Sequence, residues 1–284
     1  MPNAIEPKIG YLYPALAKNA NEGGENIVNQ YAKILELNPT DINANYQTGF
    51  YNYNKGNEAV AQKYFQKIID LYPSGYDYYL RIAWAKIAKS NPVSDLIANA
   101  FSKSYEFEAK GDYLSAITTL KDIYDSKYYD LNLRLGYLNN MVLQYVEAVK
   151  YYKIAIDLKP NSIEPRLAYV APAYQLGNKD DVFNQYKKII ELDSHNTSAL
   201  YQIGLAYYYK KDYANACANF EKIVALYPFT YDGLLMLAWS NYRLNKNTTA
   251  ETLFNKVLML SPNDKSALEG LKLMQNNRSS SKPE

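Results

Sequence analysis

A spacing of 34 residues recurs along the chain and constrains its fold more than any other sequence feature. Aromatic side chains mark this spacing at Tyr152, Tyr186, Phe220 and Phe254. Three more columns share it: Ala148, Val182, Ala216 and Ala250; Gly136, Val170, Gly204 and Ala238; and Pro160, Ser194, Pro228 and Pro262. A repeat of this length predicts stacked supersecondary units in place of one globular core. Function is then expected on an extended surface and not in a catalytic pocket.

Residues 197–227 show what one unit contains. Two amphipathic stretches, 199–209 and 213–226, flank a polar turn. The small residue Gly204 lets two helices approach closely, and Phe220 fills the space beside it. The unit is therefore predicted to be a helical hairpin. One hairpin has two apolar sides, so its stability requires neighbours on both.

These residues resemble the tetratricopeptide repeat family. In that pattern the first helix carries Leu or Ile, then Gly or Ala, then Tyr; the second carries Ala, an aromatic residue, then Ala or Ile, and Pro follows. Copies fall at 42–75, 129–162, 163–196, 197–230 and 231–264. The resemblance implies an all-α fold, a right-handed α-solenoid of about seven to eight hairpins, with a concave groove lined by the first helices.

The remaining segments match this pattern less well. We predict a degenerate N-terminal repeat over 5–41, an irregular region over 76–128, a capping helix over 265–277 and a disordered tail over 278–284. The capping helix is expected to turn one apolar face to the last repeat. That face would carry Ala267, Leu268, Leu271 and Met274.

The irregular region contains more residues than whole repeats need. From Pro73 to Pro160 the chain advances 87 residues, 19 more than two periods, which is enough for one additional helix and a turn. We predict helices over 76–89, from Pro92 to Lys110, and over 112–125. The odd helix belongs either to a degenerate repeat that still packs or to a hinge between two lobes, and we prefer the first interpretation.

Composition excludes several classes of protein. The net charge of +2 gives no overall attraction to nucleic acid or to anionic membranes. No apolar run approaches the roughly 20 residues of a membrane span. The N-terminal ten residues lack the basic start and apolar stretch of a secretory signal. The expected compartment is cytoplasmic by default, or periplasmic if a signal has been removed.

Residues with catalytic or metal-binding chemistry are scarce. One cysteine, Cys217, cannot form an internal disulfide, and one histidine, His195, cannot build a multi-histidine metal site. We expect Cys217 to pack inside a helical hairpin and His195 to lie in a turn. The sequence contains no glycine-rich phosphate loop. We therefore predict no enzymatic activity, no metal and no cofactor.

The family resemblance places candidate binding residues on the first helices, facing the groove. The aromatic candidates are Tyr46, Phe50, Tyr53, Trp84, Tyr105, Tyr137, Tyr174, Tyr201, Tyr208, Trp239 and Tyr242. An acidic rim is expected near the starts of these helices, at Asp77, Asp130, Glu164 and Asp232. Such a groove favours an apolar or aromatic segment with basic or amide groups along one side.

Both features also have a structural explanation. Tyrosine occupies packing positions in this family, and an acid in the first turn is stabilised by the helix dipole without any ligand. However, 31 tyrosines exceed what one or two packing columns require. Tyrosine combines a large rigid surface with a polar tip, which suits recognition.

Three functional hypotheses remain. The first is a non-enzymatic scaffold or adaptor that binds a peptide or helical segment of a partner protein. The second is a binder of carbohydrate or another non-protein ligand through aromatic stacking, with nucleic acid disfavoured because the rim is acidic. The third is self-assembly, which would make the chain a homo-oligomer.

Overall fold

The computed structural model describes residues 24–72 and 95–280, and every regular element in these ranges is an α-helix. The chain divides into two compact units, one of Thr40–Leu192 and one that combines Met1–Pro39 with Asp193–Glu284. In each unit, antiparallel helices pack as successive hairpins. The predicted fold class, an all-α helical solenoid, is confirmed.

The described ranges contain fourteen helices. They are α1 (Gly24–Leu37), α2 (Ile42–Asn54), α3 (Glu58–Leu71), α4 (Asp95–Ala109), α5 (Tyr113–Lys121), α6 (Tyr129–Met141), α7 (Tyr145–Leu158), α8 (Glu164–Gln175), α9 (Lys179–Leu192), α10 (Thr197–Tyr209), α11 (Tyr213–Leu226), α12 (Tyr231–Arg243), α13 (Asn247–Leu260) and α14 (Lys265–Ser280). Helices α2, α4, α6, α8, α10 and α12 are the first helices of hairpins. Each packs on the second helix that follows it.

All six hairpin turns have the same backbone geometry. The residue after the first helix ends is left-handed, with φ between 59° and 78°. Glycine fills this position three times, at Gly56, Gly111 and Gly177, and Leu143, Lys211 and Asn245 fill it in the other turns. The following amide donates to a carbonyl five residues back, as in Gln144 N to Asn139 O at 2.9 Å. This Schellman arrangement satisfies the last carbonyls of the first helix and sets the direction of the second.

A glycine on the first helix packs against an aromatic ring on the second in three hairpins. A Cβ atom added at Gly49, Gly136 or Gly204 would lie 2.6 to 2.7 Å from the ring of the residue sixteen positions later. Real Cβ contacts are longer, so these positions require glycine as long as the ring stays in place. The close approach predicted for Gly204 and Phe220 is therefore confirmed.

Aliphatic and aromatic residues form the core of the Thr40–Leu192 unit between consecutive hairpins. One cluster joins α4, α5, α6 and α7 through fully buried Leu120, Leu131, Leu135 and Leu138. Another joins α7, α8 and α9 around Tyr152 and Tyr169. The carbonyl of Leu71 also accepts hydrogen bonds from Ile163 N at 2.7 Å and Ser162 Oγ at 3.0 Å, which brings the end of α3 to the loop before α8.

The irregular region differs from its predicted boundaries. The helix expected from Pro92 to Lys110 is α4, which begins at Asp95 and ends at Ala109. The helix expected over 112–125 is α5, which ends at Lys121. The helix expected over 76–89, and with it the proposed hinge, lies outside the described residues.

The C-terminal helix α14 also departs from its prediction. It continues to Ser280, three residues into the predicted tail 278–284, because no proline interrupts the helix before Pro283. Its buried side consists of Ala267, Gly270 and Met274. Leu268, expected on that side, is 47% exposed because it lies a third of a turn away from this row.

Candidate interaction surface

The predicted groove aromatics differ in how much surface they expose. Trp84 lies outside the described residues, and none of the other ten is fully buried. The most exposed are Phe50 at 42%, Tyr105 at 45%, Tyr137 at 36% and Tyr174 at 57%. The half-buried ones are Tyr46, Tyr53, Tyr201, Tyr208, Trp239 and Tyr242.

Trp239 on α12 forms part of the packing between helices. Its ring meets Phe254 on α13 edge to face at 5.1 Å, and its Nε1 donates to Ser266 Oγ on α14 at 2.9 Å. Tyr201 likewise packs edge to face on Phe220, 5.7 Å away. These residues stabilise the Asp193–Glu284 segment, so their aromatic surface is only partly available to a partner.

Tyr208 links α10 to the next first helix. A hydrogen bond with Tyr208 raises the pKa of Arg243 on α12. The same ring packs edge to face on Tyr213, 5.3 Å away. Its neighbour Tyr209 is far more exposed and was missed by sequence reasoning, although it stands in the run of three tyrosines that ends α10.

In the Thr40–Leu192 unit, Arg134 joins two exposed tyrosines on neighbouring first helices. Its guanidinium carbon lies 4.0 Å from the ring centre of Tyr105 on α4 and 5.5 Å from that of Tyr137 on α6. Its Nη2 forms an ion pair with Glu108 Oε2 at 2.5 Å and also approaches Ser104 Oγ at 3.3 Å. We name Tyr105, Glu108, Arg134 and Tyr137 the arginine cluster.

The arginine cluster perturbs the proton affinities of its members. Burial would raise the pKa of the Glu108 carboxyl, but hydrogen bonds from Arg134 and Tyr137 and the charge of Arg134 lower it on balance. The Tyr137 hydroxyl donates to Glu108 Oε1 at 2.8 Å, which raises the pKa of Tyr137 to about 12. Glu108 is therefore ionised and both tyrosines are neutral at physiological pH. Sequence reasoning missed Arg134, whose side chain is only 9% exposed.

Sequence comparison identifies three of the units. The tetratricopeptide repeat profile matches residues 43–75, 198–230 and 232–263. The chain is a tetratricopeptide repeat protein. Comparison with curated protein sequences gives no match.

Solved structures with tetratricopeptide repeats share the fold. A tetratricopeptide repeat protein from Parabacteroides merdae is 24% identical, with a TM-score of 0.54 over 62% of this chain and 71% of its own. MamA from Desulfovibrio magneticus RS-1, residues 41 to the end, is 19% identical, with a TM-score of 0.51 over 61% of this chain and 98% of its own. Another MamA structure is 18% identical, with a TM-score of 0.51 over 58% and 91% of the two chains. At these identities the likeness shows the fold alone.

The predicted acidic rim has mixed roles in these tetratricopeptide repeats. Glu164 Oε2 accepts a hydrogen bond from Tyr129 OH, one repeat earlier, at 2.9 Å. A comparable contact, which sequence reasoning missed, joins Tyr231 OH to Asp264 Oδ2 at 2.5 Å. Such bonds connect the starts of successive first helices, so Glu164 has a structural role. Of the other rim residues, Asp130 and Asp232 are exposed, and Asp77 lies outside the described residues.

The residues with reactive chemistry have structural surroundings. Cys217 is buried on α11, and this burial raises its pKa to about 11, so the thiol is protonated and unreactive at neutral pH. His195 lies in the turn before α10, where its backbone amide donates to Asp193 Oδ1 at 3.1 Å.

Searches for two other kinds of site gave negative results. In the described ranges, no three His, Cys, Asp or Glu side chains come together as a possible metal site. Within residues 24–72 and 95–280, none of the helices combines the length and apolar character needed to cross a bilayer.

Proposed function

We propose that the protein is a non-enzymatic interaction scaffold that binds a peptide or helical segment of a partner protein on the aromatic face of its first helices. The observation that carries this proposal is a set of exposed tyrosines on three successive first helices. Tyr105, Tyr137 and Tyr174 lie on α4, α6 and α8, all within one compact unit. Tetratricopeptide repeats generally serve as interaction modules, which supports this class of function.

Exposed tyrosine suits such a role for energetic reasons. Each ring offers a large contact area while losing only two side-chain torsions on binding. Tyr137 has already lost part of this freedom, because its hydroxyl is bonded to Glu108. The entropic cost of binding at this position is therefore reduced.

The acidic residues near these tyrosines indicate the partner's charge. Asp130 at the start of α6 is exposed, and Arg134 is neutralised by Glu108. A partner segment with apolar or aromatic residues and a flanking lysine or arginine would complement this face. The half-buried aromatics of α10 and α12 would extend it, with smaller individual contributions.

The experiment is quantitative affinity capture from the native host with the full chain and a Tyr105→Ser, Tyr174→Ser double variant. We expect the double variant to lose a specific protein while its circular dichroism stays unchanged. The matched control is Tyr128→Ser, Phe229→Ser, which removes two comparably exposed aromatics from loops. This control should retain the partner.

Two outcomes would contradict the proposal. If the double variant retains every protein that the wild type captures, the first-helix tyrosines are not the binding surface. If the captured material is glycan and no protein, the chain binds carbohydrate instead. In either case the scaffold interpretation of this face fails.

A further inference from the structure

We propose that Tyr105 and Tyr137 form a docking point for a proline-rich partner segment in the polyproline II conformation. This inference rests on the proposed function and specifies the partner for one part of that surface. Four properties of the arginine cluster support it: rigidity, neutrality, ring spacing and one available hydroxyl.

The two rings are fixed before any partner arrives. Arg134 packs against both rings, is held by Glu108 and Ser104, and has little exposure of its own. The Tyr137 hydroxyl is anchored on Glu108. Rings held in this way present preformed surfaces, and polyproline II is itself a stiff conformation that loses little entropy on binding.

The cluster presents no net charge to a ligand. Glu108 uses Oε2 for Arg134 and Oε1 for Tyr137, and the guanidinium is buried between the rings. A charged side chain from a partner would lose hydration here without gaining an opposite charge. A neutral, rigid, apolar side chain such as proline is the complement that this site favours.

The spacing of the rings matches one turn of polyproline II. Since the Arg134 guanidinium carbon lies 4.0 and 5.5 Å from the two ring centres, these centres are within about 9.5 Å of each other. Polyproline II rises about 3.1 Å per residue with three residues per turn, so equivalent prolines recur about every 9 Å. Prolines at positions i and i+3 can therefore contact Tyr105 and Tyr137 together. This is the arrangement by which proline-rich segments dock on aromatic grooves.

A hydroxyl is also available for the partner's backbone. Among the described residues, none forms a recorded hydrogen bond with the Tyr105 hydroxyl, whereas the Tyr137 hydroxyl is committed to Glu108. Polyproline II has no internal hydrogen bonds, so its carbonyls are free to accept from Tyr105. A helical partner would have most of its carbonyls already paired. The donor on Tyr105 therefore favours the extended partner.

The test is a titration of the full chain with decaproline, followed through the tyrosine ring resonances in NMR spectra. We expect decaproline to shift Tyr105 and Tyr137 selectively, and Tyr105→Ala to weaken binding at least tenfold. Tyr105→Phe should retain the stacking and weaken binding about threefold through loss of the hydroxyl bond. The control Tyr128→Ala should bind decaproline as the wild type does.

The comparison peptide is an amphipathic helical peptide of equal length. If this peptide shifts Tyr105 and Tyr137 and decaproline does not, the polyproline inference is wrong while the proposed scaffold function stands. If decaproline binds equally well to Tyr105→Ala, the docking point is also refuted. If neither peptide binds and the Tyr105→Ser, Tyr174→Ser variant captures all wild-type partners, both proposals fail.

Discussion

Replacing Leu143 by glycine is predicted to stabilise the protein. Leu143 occupies the left-handed position of the α6 to α7 turn, with φ of 60°, where three of the six hairpin turns have glycine. It is also 68% exposed, so its side chain contributes little to the core. A leucine at this position has the backbone strain of a left-handed residue and little compensating burial.

The expected gain follows from three terms. A non-glycine residue in the left-handed region costs about 1–2 kcal/mol. Glycine loses roughly 0.5–1 kcal/mol more conformational freedom on folding. Removing the small buried part of the side chain costs a few tenths of a kcal/mol more. Leu143→Gly should therefore raise the free energy of unfolding by about 0.5 kcal/mol.

The reciprocal change gives a matched control in the next turn. Gly177 has φ of 78°, and a Cβ atom there meets nothing within 4 Å, so Gly177→Leu introduces strain without a clash. It should lower the free energy of unfolding by about 0.5 kcal/mol. The chain carrying both changes should match the wild type.

Urea denaturation followed by circular dichroism measures all three variants, with the m-value as a check that the unfolding transition is unchanged. The reasoning is refuted if Leu143→Gly is destabilising by 0.5 kcal/mol or more. That result would mean that the leucine side chain contributes more than its exposure indicates.

Three further predictions concern contacts between helices. Gly204→Val should lower the free energy of unfolding by about 1–3 kcal/mol, because its Cβ would lie 2.7 Å from the facing phenylalanine ring; urea denaturation checks this, and an unchanged midpoint would contradict it. The hydrogen bond to Asp264 raises the pKa of Tyr231 to about 12. The stabilising contribution of this tyrosine is therefore present below about pH 10 and lost as the pH rises towards 12; the ultraviolet difference titration between wild type and Tyr231→Phe should show this late ionisation, and a midpoint near 10 would rule it out. Arg134→Met should cost about 1–3 kcal/mol because it leaves the half-buried Glu108 without its cation; adding Glu108→Gln should recover part of the loss in a double-mutant cycle, and strict additivity would show that the two residues are not coupled.

The sequence predicts the fold well because packing within a hairpin depends on residues at fixed separations. Gly204 and Phe220 are sixteen residues apart, and their contact can be inferred from helical periodicity and the turn between them. The left-handed position is harder to predict. Gly177 indicates it, but Leu143 gives no such signal, because the strain at that turn is outweighed by the rest of the hairpin.

The candidate site is less predictable because equivalent positions have different neighbours. Tyr137 and Trp239 occupy the same place in their repeats, three periods apart. Tyr137 is exposed and bonds to a glutamate on the previous first helix, whereas Trp239 packs on Phe254 and bonds to the following helix. Which outcome occurs depends on side chains in adjacent repeats. A single column of the repeat does not contain that information.

The contact between glycine and the facing ring has a consequence for how the chain folds. In three hairpins this contact joins residues only sixteen positions apart, so a hairpin closes its own interface with a short loop and a small entropic cost. Low contact order of this kind is associated with rapid folding. During synthesis each hairpin can form as soon as its second helix is available, and the next hairpin then covers its exposed apolar side.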